Sequence, residues 1–143
     1  MLISTKGRYA LRVMLELSDH GRDEYVPLSV IAKKQEISEK YLESILVVLS
    51  KAGAIDALRG KGGGYRLNRD PKDYTIGGIL RLVEGSLAPV TCLDCKPNGC
   101  ARTVECRTLP LWQGLNQVIT AYLNSVTLAD LMNCGESGDD YVI

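Results

Sequence analysis

A mainly α-helical fold carrying one small β-hairpin is predicted for this 143-residue chain by three observations. Apolar residues recur at helical spacing through the first half, cut into short segments by capping and turn residues. Two strand candidates flank a glycine-rich tip, Arg59-Gly60-Lys61-Gly62-Gly63. A separate segment near the C-terminus carries a wide apolar stripe at helical period.

The elements follow in order. Residues 5–19 read as a helix, with Tyr9, Ala10, Val13, Met14 and Leu17 on one face and His20-Gly21 closing it. The lone histidine, His20, reads as a helix-end residue. Pro27 opens a second, short helix with Leu28, Ile31 and Ala32 inward. Gln35-Glu36-Ile37 is a tight connection. Ser38 is the N-cap of a third helix, because its hydroxyl accepts an otherwise unpaired backbone N–H. Leu42, Ile45, Leu46 and Leu49 form that helix's buried stripe, and Gly53 ends it. A short helix, a brief turn and a capped helix make a helix-turn-helix. Strands 54–58 and 64–67 then form a hairpin, which in this position is a wing. Thr75 caps a further helix running to Val83.

Residues 85–110 have no periodicity and contain Pro89, Pro97 and Pro110. A long helix is predicted over Leu111–Asn124, with Leu111, Trp112, Leu115, Val118, Ile119, Tyr122 and Leu123 as its apolar stripe. That stripe needs cover from its own core or from a second subunit. Thr127 and Asp130 cap a last short turn. The expected organisation is a winged helix-turn-helix domain over 1–84, a cysteine-bearing loop over 85–110, a dimerisation helix with its closing turn over 111–134, and an acidic tail over 135–143.

Hydrophobic residues make up 45% of the chain, as in ordinary globular domains, and no run of 18 apolar residues is present to cross a membrane. The first six residues do not resemble a signal peptide, so a cytoplasmic location is expected. The net charge of zero hides an asymmetry: residues 1–81 hold 14 Lys/Arg against 10 Asp/Glu, and residues 82–143 hold 3 against 7. The basic half is where a polyanion would bind.

The third helix and the wing are the candidate DNA-reading surface. A recognition helix presents polar side chains near its N-terminus to the major groove. Here the exposed positions are Ser38, Glu39, Lys40, Tyr41, Glu43 and Ser44. A carboxylate such as Glu43 opposes phosphate unless it accepts from a cytosine amino group. It is otherwise a solvated glutamate. Arg59 and Lys61 at the wing tip suit phosphate or the minor groove.

Four cysteines, Cys92, Cys95, Cys100 and Cys106, fall within fifteen residues, spaced C-x2-C-x4-C-x5-C. In a reducing compartment such clusters are metal ligands or redox thiols more often than disulfides. Only Cys92 and Cys95 form a tight pair, whereas structural zinc usually shows two. The spacing leaves an iron–sulfur cluster, zinc and a thiol redox switch open. Asn98-Gly99 and the prolines suit a loop wrapped around something larger than one ion. Cys134 stands apart and reads as a packed or tolerated thiol. An enzyme is not expected, since no paired carboxylates or serine–histidine arrangement is evident.

Three stretches carry a resemblance: Ser4-Thr5-Lys6-Gly7-Arg8-Tyr9-Ala10, then Ser38-x-x-Tyr41-Leu42-Glu43, then Arg59-Gly60-Lys61-Gly62-Gly63-Gly64-Tyr65. They resemble the IscR/NsrR/CymR family of bacterial winged-helix regulators, and the similarity runs through Leu131. The resemblance implies a homodimer on crossed long helices that presents two winged helices to a palindromic double-stranded DNA. It implies DNA contacts from Ser38, Tyr41, Glu43, Arg59 and Lys61, which Ser44, Ser4 and Tyr9 join in the expected set. The glutamate matching Glu43 is implicated in discriminating two types of site according to cluster occupancy. IscR-type members hold a 2Fe–2S cluster on three cysteines and tune repression of iron–sulfur assembly genes.

This chain departs from that pattern in places. IscR-type spacing is C-x5-C-x5-C, whereas here seven residues separate Cys92 from Cys100. Register from Val83 favours Cys92, Cys100 and Cys106 as ligands, with Cys95 an additional or alternative one. Leu109 stands where IscR-type proteins have a histidine, so a histidine ligand is not expected there and 2Fe–2S against 4Fe–4S stays open. The tail ending Tyr141-Val142-Ile143 resembles the terminal-isoleucine tails that dock into cysteine synthase, the co-regulator of CymR-type members. Two rival expectations remain: a cluster-free regulator working through thiol chemistry or that enzyme, and a zinc-stabilised interaction module.

Overall fold

The computed structural model describes residues 3–94 and 101–134. Six helices and one hairpin appear in the order α1 (Thr5–Asp19), α2 (Leu28–Gln35), α3 (Glu39–Lys51), β1 (Ile55–Leu58), β2 (Gly64–Leu67), α4 (Ile76–Glu84), α5 (Leu109–Ser125) and α6 (Leu128–Cys134). Short 3-10 turns occupy Pro71–Asp73 and Thr91–Leu93.

The helices begin where side chains satisfy the free N–H groups of a first turn. Ser4, Ser38 and Thr75 accept from the backbone N–H of Gly7, Tyr41 and Gly78. Gly53 takes positive φ after α3 (φ 76), and the αL residue after α2 is Glu36 (φ 55), the one non-glycine with positive φ among the described residues. α5 starts at Leu109, two residues before the predicted start, with Pro110 in its first turn. A proline there gives up an N–H that no carbonyl would have met, so it begins the helix instead of ending the loop.

Ala10, Val13, Met14 and Leu17 of α1, Ile31 of α2, and Leu42, Ile45, Leu46 and Leu49 of α3 are fully buried. They form one core with Ala54, Ile55, Leu67, Tyr74, Ile79 and Leu128. The burial follows the i, i+3, i+4 rhythm read from the sequence. β1 pairs with β2 antiparallel in the register Ile55↔Leu67 to Leu58↔Gly64, so Arg59–Gly63 is the wing tip. Val26 adds an isolated bridge to Tyr65 through two hydrogen bonds of 2.8 and 2.9 Å, fixing the loop before α2 to the wing. Gly64 is required at that contact: its φ is 151, and a Cβ would collide with the Val26 carbonyl.

A second bridge, Thr75↔Thr127, ties the α5–α6 connection to the start of α4. Ile76 N donates to Val126 O and Leu128 N to Tyr74 O, each at 2.9 Å. Thr127 and Asp130 cap α6 reciprocally, N to Oδ2 at 2.9 Å and N to Oγ1 at 3.2 Å. Leu128 is thereby driven into the main core. α5, in contrast, buries only Leu109. Leu123 packs in a small cluster with Ile76, Leu80 and Leu87, while Leu111, Leu115, Val118 and Tyr122 stand 62, 40, 65 and 66% exposed.

Candidate nucleic-acid interface and cysteine segment

The N-terminus of α3 presents the residues expected to read bases. Ser38, Glu43 and Ser44 are exposed and Tyr41 is half-buried. Ser38 Oγ accepts from Tyr41 N at 3.2 Å, and Ser44 Oγ donates to Tyr41 O at 2.6 Å. Both hydroxyls therefore keep part of their hydrogen-bonding capacity for another partner. Tyr41 is wedged edge-on against Tyr9, with ring centroids 5.8 Å apart at 82°. Tyr9 also carries the Arg12 guanidinium over its face at 5.1 Å.

α3 and the wing flank a groove of about 520 Å³ lined by Pro27, Glu43, Val47, Leu58, Arg59 and Tyr65, among others. Arg59 and Lys61 are exposed at the tip. Gly60 and Gly62 have positive φ with open space where a Cβ would stand, so another surface can approach the backbone closely. Burial pushes the Tyr65 phenol upward, with the charge of Glu43 adding to this and that of Arg59 opposing it. The groove thus sets one carboxylate against the wing's cation across a tyrosine.

The base of the wing is held by a network around Tyr74. Its hydroxyl donates to Ala54 O at 2.7 Å and lies 3.1 Å from Asn68 Oδ1, and Asn68 Nδ2 donates to Gly53 O at 2.9 Å. Arg66 lies over the Tyr25 ring at 4.3 Å and pairs with Asp56 at 3.5 Å. Ser4 is engaged within its own subunit. Its hydroxyl donates to Glu84 Oε1 at 2.6 Å, its N–H donates to the same oxygen at 2.9 Å, and its oxygen caps α1.

Cys92 lies in the 3-10 turn Thr91–Leu93, and Cys106 lies three residues before α5; both are half-buried free thiols. Ser86 donates to Asp94 at 2.6 Å, closing the loop that carries Cys92. Cys106 Sγ lies 3.4 Å from Thr108 Oγ1. The Thr108 side-chain and backbone hydrogen bonds hold the Cys106 thiol below the ordinary range, favouring thiolate. Cys95 and Cys100 lie outside the described residues, and among the described residues no group of three metal-binding side chains is assembled. The described donors of the segment are the thiols of Cys92 and Cys106, with the carboxylates of Asp94 and Glu105 beside them in the chain. The one histidine, His20, is taken by Glu16 and Glu24 at 3.1 and 3.3 Å on α1. A thiol donor set fits an iron–sulfur cluster or zinc.

A family profile described as an iron-dependent transcriptional regulator, Rrf2, matches residues 3–134. This chain belongs to the Rrf2 family of transcriptional regulators. Among its relatives is the HTH-type transcriptional regulator IscR of Photobacterium profundum, 39% identical over 135 residues, which span 92% of this chain and 76% of that protein. IscR of Yersinia enterocolitica is 38% identical over 93% of this chain and 80% of its own length. Two solved structures superpose with TM-scores of 0.74 at 34% identity. One is CymR, the global cysteine regulator of B. subtilis, over 93% of this chain and 97% of that one. The other is T. potens IscR, over 100% and 94%.

Rrf2 membership makes this a DNA-binding transcription regulator with the winged-helix fold expected from its sequence. Transcriptional regulators are not enzymes, and no described helix is long and apolar enough to cross a membrane. The tail residues Tyr141 and Ile143 lie outside the described residues, and the relatives give cysteine synthase as a partner no support. The sequence had not revealed the Val26–Tyr65 bridge, the Tyr74 network, or the contacts of Arg12 and Glu84. These join residues far apart in the chain and leave no periodic signal.

Proposed function

We propose that this Rrf2-family chain works as a homodimer on palindromic DNA, senses iron–sulfur cluster status, and controls iron–sulfur biogenesis genes. The observation that supports it best is the position of the thiols. In the chain they follow α4 of the winged-helix domain (1–84) and precede α5, within the segment 85–110. A ligand held there would touch both the DNA-binding head and the element joining two copies. Leu111, Leu115, Val118 and Tyr122 offer the face for a second copy, so 111–134 serves as the dimerisation unit and 135–143 as a tail.

Cys92, Cys100 and Cys106, with Cys95 as a further or alternative ligand, would hold the cluster, of the 2Fe–2S type. A bound cluster supplies a redox- and supply-sensitive group whose loss frees its thiols. Thr108 hydrogen-bonds Cys106 and lowers its thiol pKa, and Ser86 with Asp94 holds the loop around Cys92. Ser38, Tyr41, Glu43 and Ser44 meet base edges and backbone, Arg59 and Lys61 grip phosphate or minor groove, and Ser4 and Tyr9 complete that face.

Anaerobic purification with an absorption spectrum, and iron and acid-labile sulfide counted per subunit, tests the proposal. Visible absorption with near-equal iron and sulfide is the expected result, and about two irons per subunit would favour 2Fe–2S. A protein that stays colourless after reconstitution overturns cluster sensing. The similarity to CymR would then favour a cluster-free regulator acting through thiol chemistry, and zinc in the metal analysis would favour a structural ion.

A further inference from the structure

The recognition helix is braced by a side chain that lies outside it. Arg12 sits mid-way along α1 and is exposed. Its Nη2 donates to the backbone carbonyl of Gln35 at 2.6 Å, and its Nε donates to the Gln35 side-chain oxygen at 3.1 Å. The guanidinium plane also lies 5.1 Å over the Tyr9 ring. Tyr9 in turn meets Tyr41, in the first turn of α3, edge to face.

Each contact falls where the helix-turn-helix is least constrained by its own backbone. Gln35 is the last residue of α2, and its carbonyl has no intrahelical N–H to accept from. The next residue, Glu36, holds αL geometry (φ 55, ψ 45) without being glycine. Such a conformation persists where the surroundings impose it. Arg12 caps the carbonyl just before it. Two residues later Ser38 begins α3. One guanidinium therefore fixes the end of α2 with its fork and, through Tyr9, the first turn of α3 with its face.

We propose that Arg12 is a positioning residue for base readout. It sets the angle between α2 and α3 through Gln35 and seats Tyr41 through Tyr9, so that Ser38, Glu43 and Ser44 meet base edges in register. The inference rests on the DNA-reading function proposed above. Base recognition tolerates displacement of only about 0.5 Å, so a loosened brace costs discrimination before it costs the fold. Lysine cannot replace this arginine, because it lacks the planar fork that reaches both Gln35 oxygens while stacking on a ring.

The alternative for an exposed arginine on this face is a direct phosphate contact, and the two differ in signature. A phosphate contact weakens binding evenly over all sequences and lowers the salt slope by about one, whereas a positioning residue weakens the preferred site selectively. The experiment is selection from a randomised duplex pool with the full chain, purified anaerobically, as wild type, Arg12→Met, Arg12→Lys, Tyr9→Phe and Tyr9→Ala.

Both Arg12 variants and Tyr9→Ala should flatten the enriched motif. They should lose about fivefold or more in affinity for the wild-type site relative to a scrambled duplex, with the salt slope unchanged. Tyr9→Phe keeps the ring that Arg12 and Tyr41 meet and should keep the enriched motif, any loss from its hydroxyl falling evenly over all sequences, and Arg12→Met combined with Tyr9→Ala should be no worse than either alone. An even loss with a smaller salt slope overturns the proposal in favour of a phosphate contact. Motifs and affinities identical to wild type overturn it outright. A wild type that enriches no motif would instead show that the DNA-reading function itself is wrong. Arg12→Lys keeps the charge on an exposed site, so a folded variant is available for the comparison.

Discussion

Glu16 shows how a single buried charge joins two helices of the reading head. It is 2% exposed, yet it accepts from Lys34 Nζ at 3.1 Å and Gln35 Nε2 at 3.1 Å and lies 3.1 Å from His20 Nε2. Burial pushes its carboxyl upward, but the bonds from Lys34, His20 and Gln35 outweigh it and leave the group below its ordinary range. The unfolded chain therefore takes up this proton first on acidification. The stability Glu16 contributes is complete above the usual glutamate value of about 4.3 and is lost as pH falls through the lower folded value. Glu16→Gln should lower stability at neutral pH by about 1–3 kcal/mol, because Lys34 loses its buried partner. In thermal melts from pH 7 to pH 3 the gap between variant and wild type should close, and a constant gap would exclude the linkage. Glu43 is the matching test of function. Its replacement by alanine should broaden base preference in a binding-site selection rather than weaken every site, and an unaltered motif would remove it from readout.

Among the elements, the clasp between α1 and α4 sets opposite effects against each other. A Cβ at Gly7 would collide with the Glu84 carboxylate, which Ser4 holds by two hydrogen bonds. Alanine would stabilise a helix interior by about 1 kcal/mol over glycine. The carboxylate can yield only by giving up bonds of about 0.5–1.5 kcal/mol each. Gly7→Ala should therefore be destabilising in the native background and stabilising once Glu84 is alanine. Denaturant titration of the four proteins measures that reversal, and the same sign in both backgrounds would show that the contact does not control the outcome. Glu84 is also the last residue of α4 before the cysteine-bearing loop, so the clasp anchors that loop's entry to the N-terminus of α1.

For the whole molecule, the exposed face of α5 and the salt response of DNA binding decide the outcome. Leu115→Glu with Val118→Glu places two carboxylates on a face that touches little of its own subunit. The winged-helix domain should stay folded, giving unchanged helical circular dichroism, while sedimentation shifts from dimer to monomer. A pair that stays dimeric would place the interface elsewhere. Binding to double-stranded DNA should fall steeply with salt, because each phosphate contact releases condensed counterions, and a flat salt response would deny the proposed phosphate role of Arg59 and Lys61.

Local chemistry by itself determined the helices and the wing of this Rrf2 protein. Caps such as Ser38 and Thr75, the stripe Leu42-Ile45-Leu46-Leu49, and the tip Arg59–Gly63 are signals carried by neighbours in sequence, where backbone geometry imposes the period. The start of α5 was displaced by two residues because proline both ends loops and opens helices, and only the packing of Leu109 (8% exposed) selects between them. The tertiary structure alone decided which apolar faces find cover. Leu128 closes the core, whereas Leu111, Leu115, Val118 and Tyr122 remain outside it. It also decided which side chains brace the reading head, since the contacts of Arg12 with Gln35 and of Ser4 with Glu84 span 23 and 80 residues. Contacts over such separations leave no periodic trace in sequence, because they depend on how finished elements pack and not on the steric rules within one element.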